Sequence, residues 1–199
     1  MENLNNAAEL CGTAERAPSF SHSSRGEDFY TFPLSARRLS GAADTVNVVV
    51  PGRLLEGTAL PAGGRFRVLG EVRSFNNRSG VGSRLVINVF ARSLAPWDGE
   101  DVNRVILRGT VCKPPNFRRT PMGREICDLM LAVNRRFGRS DYLPCIAWGA
   151  GAETASLWPV GRETGIDGRL QSRVYVKQTE AGEIEKTAFE VSVSAFFEI

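Results

Sequence analysis

Hydrophobic residues occupy every second position in several short stretches of the chain, which is the pattern of β-strands with one buried face. In the second half, Leu129, Leu131 and Val133 follow this spacing and predict one strand. A later stretch has Leu143, Cys145 and Ala147 on one face, while the opposite face carries Tyr142, Pro144, Ile146 and Trp148. This strand, the third of the second half, therefore combines a hydrophobic face with an opposite face that ends in aromatic rings.

Three more strands and one short helix are predicted in the second half. Residues 105–107 predict the first strand, residues 152–158 predict a helix that ends at Pro159, and residues 189–193 predict the fifth strand. The fourth strand is expected to direct these side chains inward: Leu170, Ser172, Val174 and Val176. Its outward side chains are Arg169, Gln171, Arg173, Tyr175 and Lys177.

Five strands with a short helix between the third and the fourth are the element order of a small Greek-key OB-fold barrel. A β-sandwich is the alternative. We favour the barrel because two strands present aromatic rings among cations on the outer face, where a soluble sandwich would carry plain polar residues.

The two halves of the chain share one sequence pattern. When residues 6–52 are placed on residues 103–149 without a gap, 12 of the 47 positions are identical. Average amino-acid usage predicts roughly three. The identical pairs include Gly12/Gly109, Arg38/Arg135 and Asp44/Asp141. We therefore predict an all-β protein of two tandem five-stranded OB-fold barrels, each with at most one short helix.

The composition, 42% hydrophobic and 24% charged, is that of a globular protein. No stretch approaches the length of a membrane helix and the start does not match a signal peptide, so we expect a cytoplasmic location. The chain has one histidine, His22, and four cysteines without C-x-x-C spacing. We therefore expect free thiols, no metal, no cofactor and no enzymatic activity.

Basic residues are concentrated in the second half, although the net charge of the chain is only +3. Residues 104–139 contain nine basic and two acidic side chains, and 22 of the 25 basic residues of the chain are arginine. The guanidinium group binds phosphate oxygens and stacks on bases. The cationic candidates for contact with nucleic acid are Arg104, Arg118, Arg119, Arg135, Arg136, Arg169, Arg173 and Lys177. A solvated charged surface is the alternative interpretation.

Four aromatic residues lie among these cations. A base that stacks on an aromatic side chain gains about 1 to 3 kcal/mol whatever the sequence. Tyr142 and Trp148 are six residues apart on one strand face, roughly 20 Å, so they would serve different nucleotides. Phe137 and Tyr175 also have basic neighbours. A single ring would be assigned to the core, whereas four rings among cations favour an interface that stacks bases.

Two motifs frame these residues. Residues 103–109 (NRVILRG) open the first strand, and residues 168–173 (GRLQSR) open the fourth. Together with the four rings and Arg118, they resemble, in order and spacing, the bacterial single-stranded DNA-binding protein family. The resemblance implies an OB fold, sequence-tolerant binding of single-stranded DNA in replication, recombination or repair, association with the nucleoid, and assemblies of four barrels.

The first unit lacks the four rings. Its aligned residues are Ser40, Thr45, Pro51 and approximately Asn77, although Phe75, Arg73 and Arg78 are still placed to touch a strand. We predict that residues 1–92 form a degenerate OB-fold domain used for assembly, that residues 93–102 are a short linker, and that residues 103–199 form the OB-fold domain that binds single-stranded DNA. If four barrels assemble, two chains suffice, and we expect a homodimer.

Two alternatives stay open. The family commonly ends in a long tail with an acidic tip, and the last residues here, 196–199, lack it. This favours an adaptor that resembles primosomal replication protein N and assembles a helicase-loading complex. RNA is a second alternative, because stacking and phosphate contacts do not discriminate the sugar.

Overall fold

The computed structural model describes residues 5–77, 83–135, 138–179 and 182–199, with the backbone alone at residues 174, 175, 177–179 and 184–186. Twelve strands, one short α-helix and one 3-10 turn (Gly52–Leu54) follow one another along these ranges. The strands of the first repeat are β1 (Asn6–Ala14), β2 (Ser19–Ser24), β3 (Glu27–Arg37), β4 (Ala43–Pro51), β5 (Arg65–Asn76) and β6 (Leu85–Pro96). The elements of the second are β7 (Val102–Val111), β8 (Asn116–Arg119), β9 (Glu125–Asn134), β10 (Ser140–Trp148), α1 (Ala150–Ser156), β11 (Glu163–Thr179) and β12 (Gly182–Phe197).

The chain divides into two compact units. The smaller unit contains Ala7–Arg73 and Asn88–Arg104. The larger unit contains Val105–Ile199 together with Met1–Asn6 and Ser74–Ile87. Segment 74–87 comes from the first repeat in sequence but belongs to the larger unit in space.

Each unit closes into a five-stranded barrel. In the larger unit, β7 pairs with β9, β9 with β10, β10 with β12 in parallel, β12 with β11, and β11 with β7. In the smaller unit, β1 pairs with β3, β3 with β4, β4 with β6 in parallel, β6 with β5, and β5 with β1. This is the predicted order of an OB fold, and the prediction of two five-stranded barrels is confirmed. The short strands β2 and β8 extend the rings and were not predicted.

The inside of the larger barrel follows the predicted alternation. Leu129 pairs with Cys145, Cys145 with Val191, and Val191 with Leu170, and all four side chains are buried. The helix α1 ends before Pro159, as expected. Val176, expected to face inward, is 52% exposed. That expectation was wrong, because β11 and β12 continue as a hairpin as far as the Thr179–Gly182 pair.

The identical positions of the repeat mark constraints that both barrels share. A Cβ atom on Gly109 would lie 2.5 Å from the carbonyl oxygen of Ala132, and one on Gly12 would collide with the carbonyl oxygen of Ser35. The first strand of each barrel pairs with two other strands, and glycine permits this close approach of backbones. The repeated glycines are therefore a condition of barrel closure.

Candidate nucleic-acid interface

The interface predicted from the sequence lies on the outer face of the larger barrel. Tyr142 and Trp148 stand at the two ends of β10 and are 53% and 39% exposed. The residues that alternate with them, Leu143, Cys145 and Ala147, are buried inside. Both rings thus face solvent from one strand, roughly 20 Å apart along it. Their role in binding stays a prediction.

Cross-strand pairing fixes which side chains lie between the two rings. Trp148 pairs with Ile126, which pairs with Arg118. The next row towards Tyr142 joins five strands through Asn116, Asp128, Ile146, Ser192 and Arg169. The outer face therefore carries two rings at its ends and, between them, a band of polar and charged residues that Ile146 interrupts on β10.

Ion pairs hold the cations on the β8 side of this band. Arg118 donates to Asp128 through Nε at 2.6 Å and Nη2 at 3.1 Å, and this hydrogen bonding raises the pKa of Arg118. Arg119 donates to Glu125 at 2.7 Å, which lowers the pKa of that carboxyl group. All four side chains are at least partly exposed. Exposed pairs of this kind contribute only about 0 to 1 kcal/mol, so a phosphate group could replace either carboxylate at little cost.

Polar residues on the β11–β12 side are more deeply covered than the sequence indicated. Gln171, expected on the surface, is buried and donates to Glu190 at 2.9 Å. Ser192 and Ile146 are buried as well. Arg169 reaches Gln171 at 3.4 Å. These contacts make the centre of the outer face a packed surface, because the long polar side chains bond one another across the strands.

Arg135, predicted to contact phosphate, is engaged inside the protein. It forms a two-pronged ion pair with Asp141, whose side chain is fully buried, and it also donates to the carbonyl oxygen of Ser74 at 3.1 Å. The first repeat has the same pair at its aligned positions, Arg38 and Asp44. A carboxylate buried in this way holds its guanidinium partner firmly. Arg135 is therefore not part of the proposed interface.

The remaining predicted site residues fall into three groups. Arg104, in the smaller unit, and Arg173, on β11, are exposed. Arg136 and Phe137 lie outside the described residues, and at Tyr175 and Lys177 only the backbone is described. The backbone register places Tyr175 opposite Lys186 on the β11–β12 hairpin.

Sequence reasoning missed a group of neighbouring aromatic rings in the smaller barrel. His22 stacks on Phe29 with centroids 4.9 Å apart, Phe29 lies 5.8 Å from Phe90, and the Arg92 guanidinium is 5.2 Å from the Phe90 ring. The repeat alignment compared each position of the first unit with one position of the second, so it did not show which rings of the first unit lie close together. These rings come from three strands, so only the strand pairing reveals them.

The cysteines behave as predicted. All four are free, and Cys11, Cys127 and Cys145 are buried. Burial raises the pKa of the Cys11 thiol to about 11, which makes a reactive thiolate rare at neutral pH. Over the described ranges, no cluster of three His, Cys, Asp or Glu side chains is arranged to hold a metal ion.

Comparison with known sequences shows which family the second repeat resembles. The profile of the Single-strand binding protein family matches residues 102–197. The second repeat is therefore similar to this family. The match confirms the resemblance on which the predictions were based. It covers the second repeat, where the candidate interface lies.

Curated relatives share this half of the chain. Single-stranded DNA-binding protein A of Bacillus subtilis (strain 168) is 39% identical over 84 residues, which are 39% of this chain and 49% of the relative. The single-stranded DNA-binding protein of Clostridium tetani is 40% identical over 81 residues, which are 37% of this chain and 56% of the relative. The chain therefore spans about half the length of the curated relatives that it matches.

Solved structures extend the similarity to both repeats. The wild-type single-stranded DNA binding protein from Thermus aquaticus superposes with a TM-score of 0.78 at 25% identity, covering 98% of this chain and 92% of that one. A deletion variant of the same protein gives a TM-score of 0.76 and covers 94% of its own chain. The tandem arrangement of barrels thus has a counterpart of known structure.

Membrane insertion through a helix finds no support in the described part of the chain. None of its helices has the length and hydrophobicity needed to cross a bilayer.

Proposed function

We propose that the chain binds single-stranded DNA without sequence preference, through the outer face of the larger barrel. The observation that carries the proposal is the pair of exposed rings, Tyr142 and Trp148, at the two ends of one strand face. The match of residues 102–197 to the Single-strand binding protein family supports it. The adaptor alternative has no comparable observation in its favour.

In this proposal, the rings supply most of the affinity and the arginines follow the backbone of the nucleic acid. Each stacked base contributes about 1 to 3 kcal/mol. Arg118 and Arg119 exchange their exposed carboxylate partners for phosphates, and Arg173 is already open to solvent. Neither stacking nor phosphate contact reads base identity, so binding is tolerant of sequence.

Titration with an oligo-dT strand, followed by the quenching of tryptophan fluorescence, tests this function. We expect log K to fall linearly with log salt, with a slope of about −0.7 for each phosphate contacted. A slope near zero would contradict a path lined by arginines. The same titration with duplex DNA and with an RNA of equal length decides whether the unpaired strand and its sugar matter.

We further propose that the chain acts as a homodimer with four barrels, in which residues 1–92 serve mainly in assembly. The support is the family resemblance and the absence of rings at the first-repeat positions that align with the four platforms, such as Thr45. Sedimentation equilibrium should give twice the 21.8 kDa mass of one chain. A monomer at micromolar concentration would overturn the assembly role. Association with the nucleoid stays a prediction of the proposed function.

A further inference from the structure

Segment 74–87 is anchored to the larger barrel next to Tyr142. The backbone N–H of Ser74 donates to Asp141 Oδ1 at 2.6 Å, and the N–H of Tyr142 donates to Ser74 Oγ at 2.8 Å. The carbonyl oxygen of Ser74 accepts from Arg135 at 3.1 Å. A carboxylate and a guanidinium group thus bond the Ser74 backbone in the way that a neighbouring strand would.

A second anchor fixes the same segment farther along. Ser83 Oγ donates to the carbonyl oxygen of Thr187 at 2.7 Å. Thr187 follows Lys186 on β12, and Lys186 is the register partner of Tyr175. Ser74 is therefore anchored beside Tyr142, and Ser83 is anchored one residue from the register partner of Tyr175.

The residue that follows the first anchor is an exposed aromatic. Phe75 is 51% exposed, whereas Ser74 beside it is buried. Because consecutive Cα atoms are about 3.8 Å apart, Phe75 lies within roughly 10 Å of the Tyr142 backbone. A single exposed phenyl ring is ordinary on a protein surface. This ring differs because three hydrogen bonds hold its neighbour, Ser74, against the residues that carry Tyr142.

We propose that Phe75 is a further stacking residue for single-stranded DNA, supplied by the first repeat to the binding face of the larger barrel. Ser74 is its positioning residue, held by Asp141 and Arg135. The inference rests on the proposed function, because a DNA strand with one base stacked on Tyr142 would place its next nucleotide near Phe75. Through Phe75 the first repeat takes a direct part in binding, although it has no aromatic ring at the aligned positions Thr45 and Pro51.

Affinity for an oligo-dT strand tests the proposal on the full chain. We expect Phe75→Ala to weaken binding by about 5- to 150-fold, the range that corresponds to the loss of one stacked base. Phe75→Trp should retain the affinity and add fluorescence that the DNA quenches. Phe20→Ala is the matched control, because Phe20 is a 60% exposed phenylalanine of the first repeat that belongs to the smaller unit, and it should bind as the wild type does.

The outcome separates this inference from the proposed function. If Tyr142→Ala weakens binding while Phe75→Ala does not, the inference fails and the function stands. If neither variant changes the affinity, the function itself fails. Either conclusion requires circular dichroism spectra that match the wild type.

A double-mutant cycle tests the positioning role of Ser74. Ser74→Ala should weaken binding when Phe75 is present and add little in the Phe75→Ala background, because the ring that it positions is gone. An equal loss in both backgrounds would show that Ser74 acts on Tyr142 alone, and the positioning role would then be rejected.

Discussion

Replacing both Tyr142 and Trp148 with alanine is expected to weaken binding to single-stranded DNA by about 2 to 6 kcal/mol, because two stacking surfaces are lost. The two rings are roughly 20 Å apart along β10. Sites so far apart behave independently, so the loss in the double variant should equal the sum of the losses in the two single variants. Equilibrium titration with oligo-dT at one fixed salt concentration measures all three.

Thr45→Ala is the control for this series, since Thr45 aligns with Tyr142 in the repeat and carries no ring. Its hydroxyl donates to Glu15 at 2.8 Å on the surface, so the substitution removes one exposed hydrogen bond. We expect its affinity to remain within twofold of the wild type. A folded double variant with wild-type affinity would refute the assignment of the binding face.

Asp141→Ala is expected to destabilise the fold strongly. Removing one partner of a buried ion pair costs 3 to 5 kcal/mol. The Asp141 side chain is fully buried and that of Arg135 is 25% exposed, so we expect the lower end, about 3 kcal/mol. The amide of Ser74 loses its acceptor at the same time. Urea unfolding, followed by circular dichroism and by tryptophan fluorescence, measures the change.

Asp128→Ala provides the comparison in the same barrel. Asp128 also forms a two-pronged pair with an arginine, Arg118, but both side chains are more than a third exposed. We expect a loss of no more than about 1 kcal/mol. Equal unfolding midpoints for the two variants would show that burial of Asp141 does not matter to the fold.

The alternation of hydrophobic and polar residues was sufficient to predict the barrel strands, because every second side chain of a strand faces the barrel interior. Leu129, Leu131 and Val133 are buried as their spacing indicated, and so is Leu143 on the next strand. The rule fails where a strand leaves the barrel. Val176 is hydrophobic and in phase with Leu170, but no barrel interior is available to it on the β11–β12 hairpin.

The cations of the interface could not be judged from the sequence, because the carboxylates that hold them are brought close by strand pairing. Arg118 meets Asp128 only because β8 pairs with β9, and Arg135 meets Asp141 across the β9–β10 turn. A count of charges treats these arginines like Arg173, which is exposed. The repeat contained a clue, since Arg38 and Asp44 are identical to Arg135 and Asp141 at the same spacing.

The part of the first repeat that joins the larger unit was also beyond sequence reasoning. A gap-free repeat suggests that each unit is continuous along the chain. Ser74 and Ser83 nevertheless bond to Asp141 and Thr187, and small polar residues of this kind carry no signal for such long-range contacts. The exposed rings were easier to predict, because Tyr142 and Trp148 are out of phase with the buried residues of their own strand.

The anchoring of segment 74–87 has a practical consequence for anyone who wishes to express the two halves apart. A fragment that begins in the linker would keep the pair of Arg135 and Asp141 but not Ser74, which bonds to both and to the amide of Tyr142. One end of β10, the strand proposed to contact DNA, would then be hydrated and loosened. Dissection of this protein should follow its three-dimensional boundaries, carrying that strip of the amino-terminal repeat along with the carboxy-terminal one.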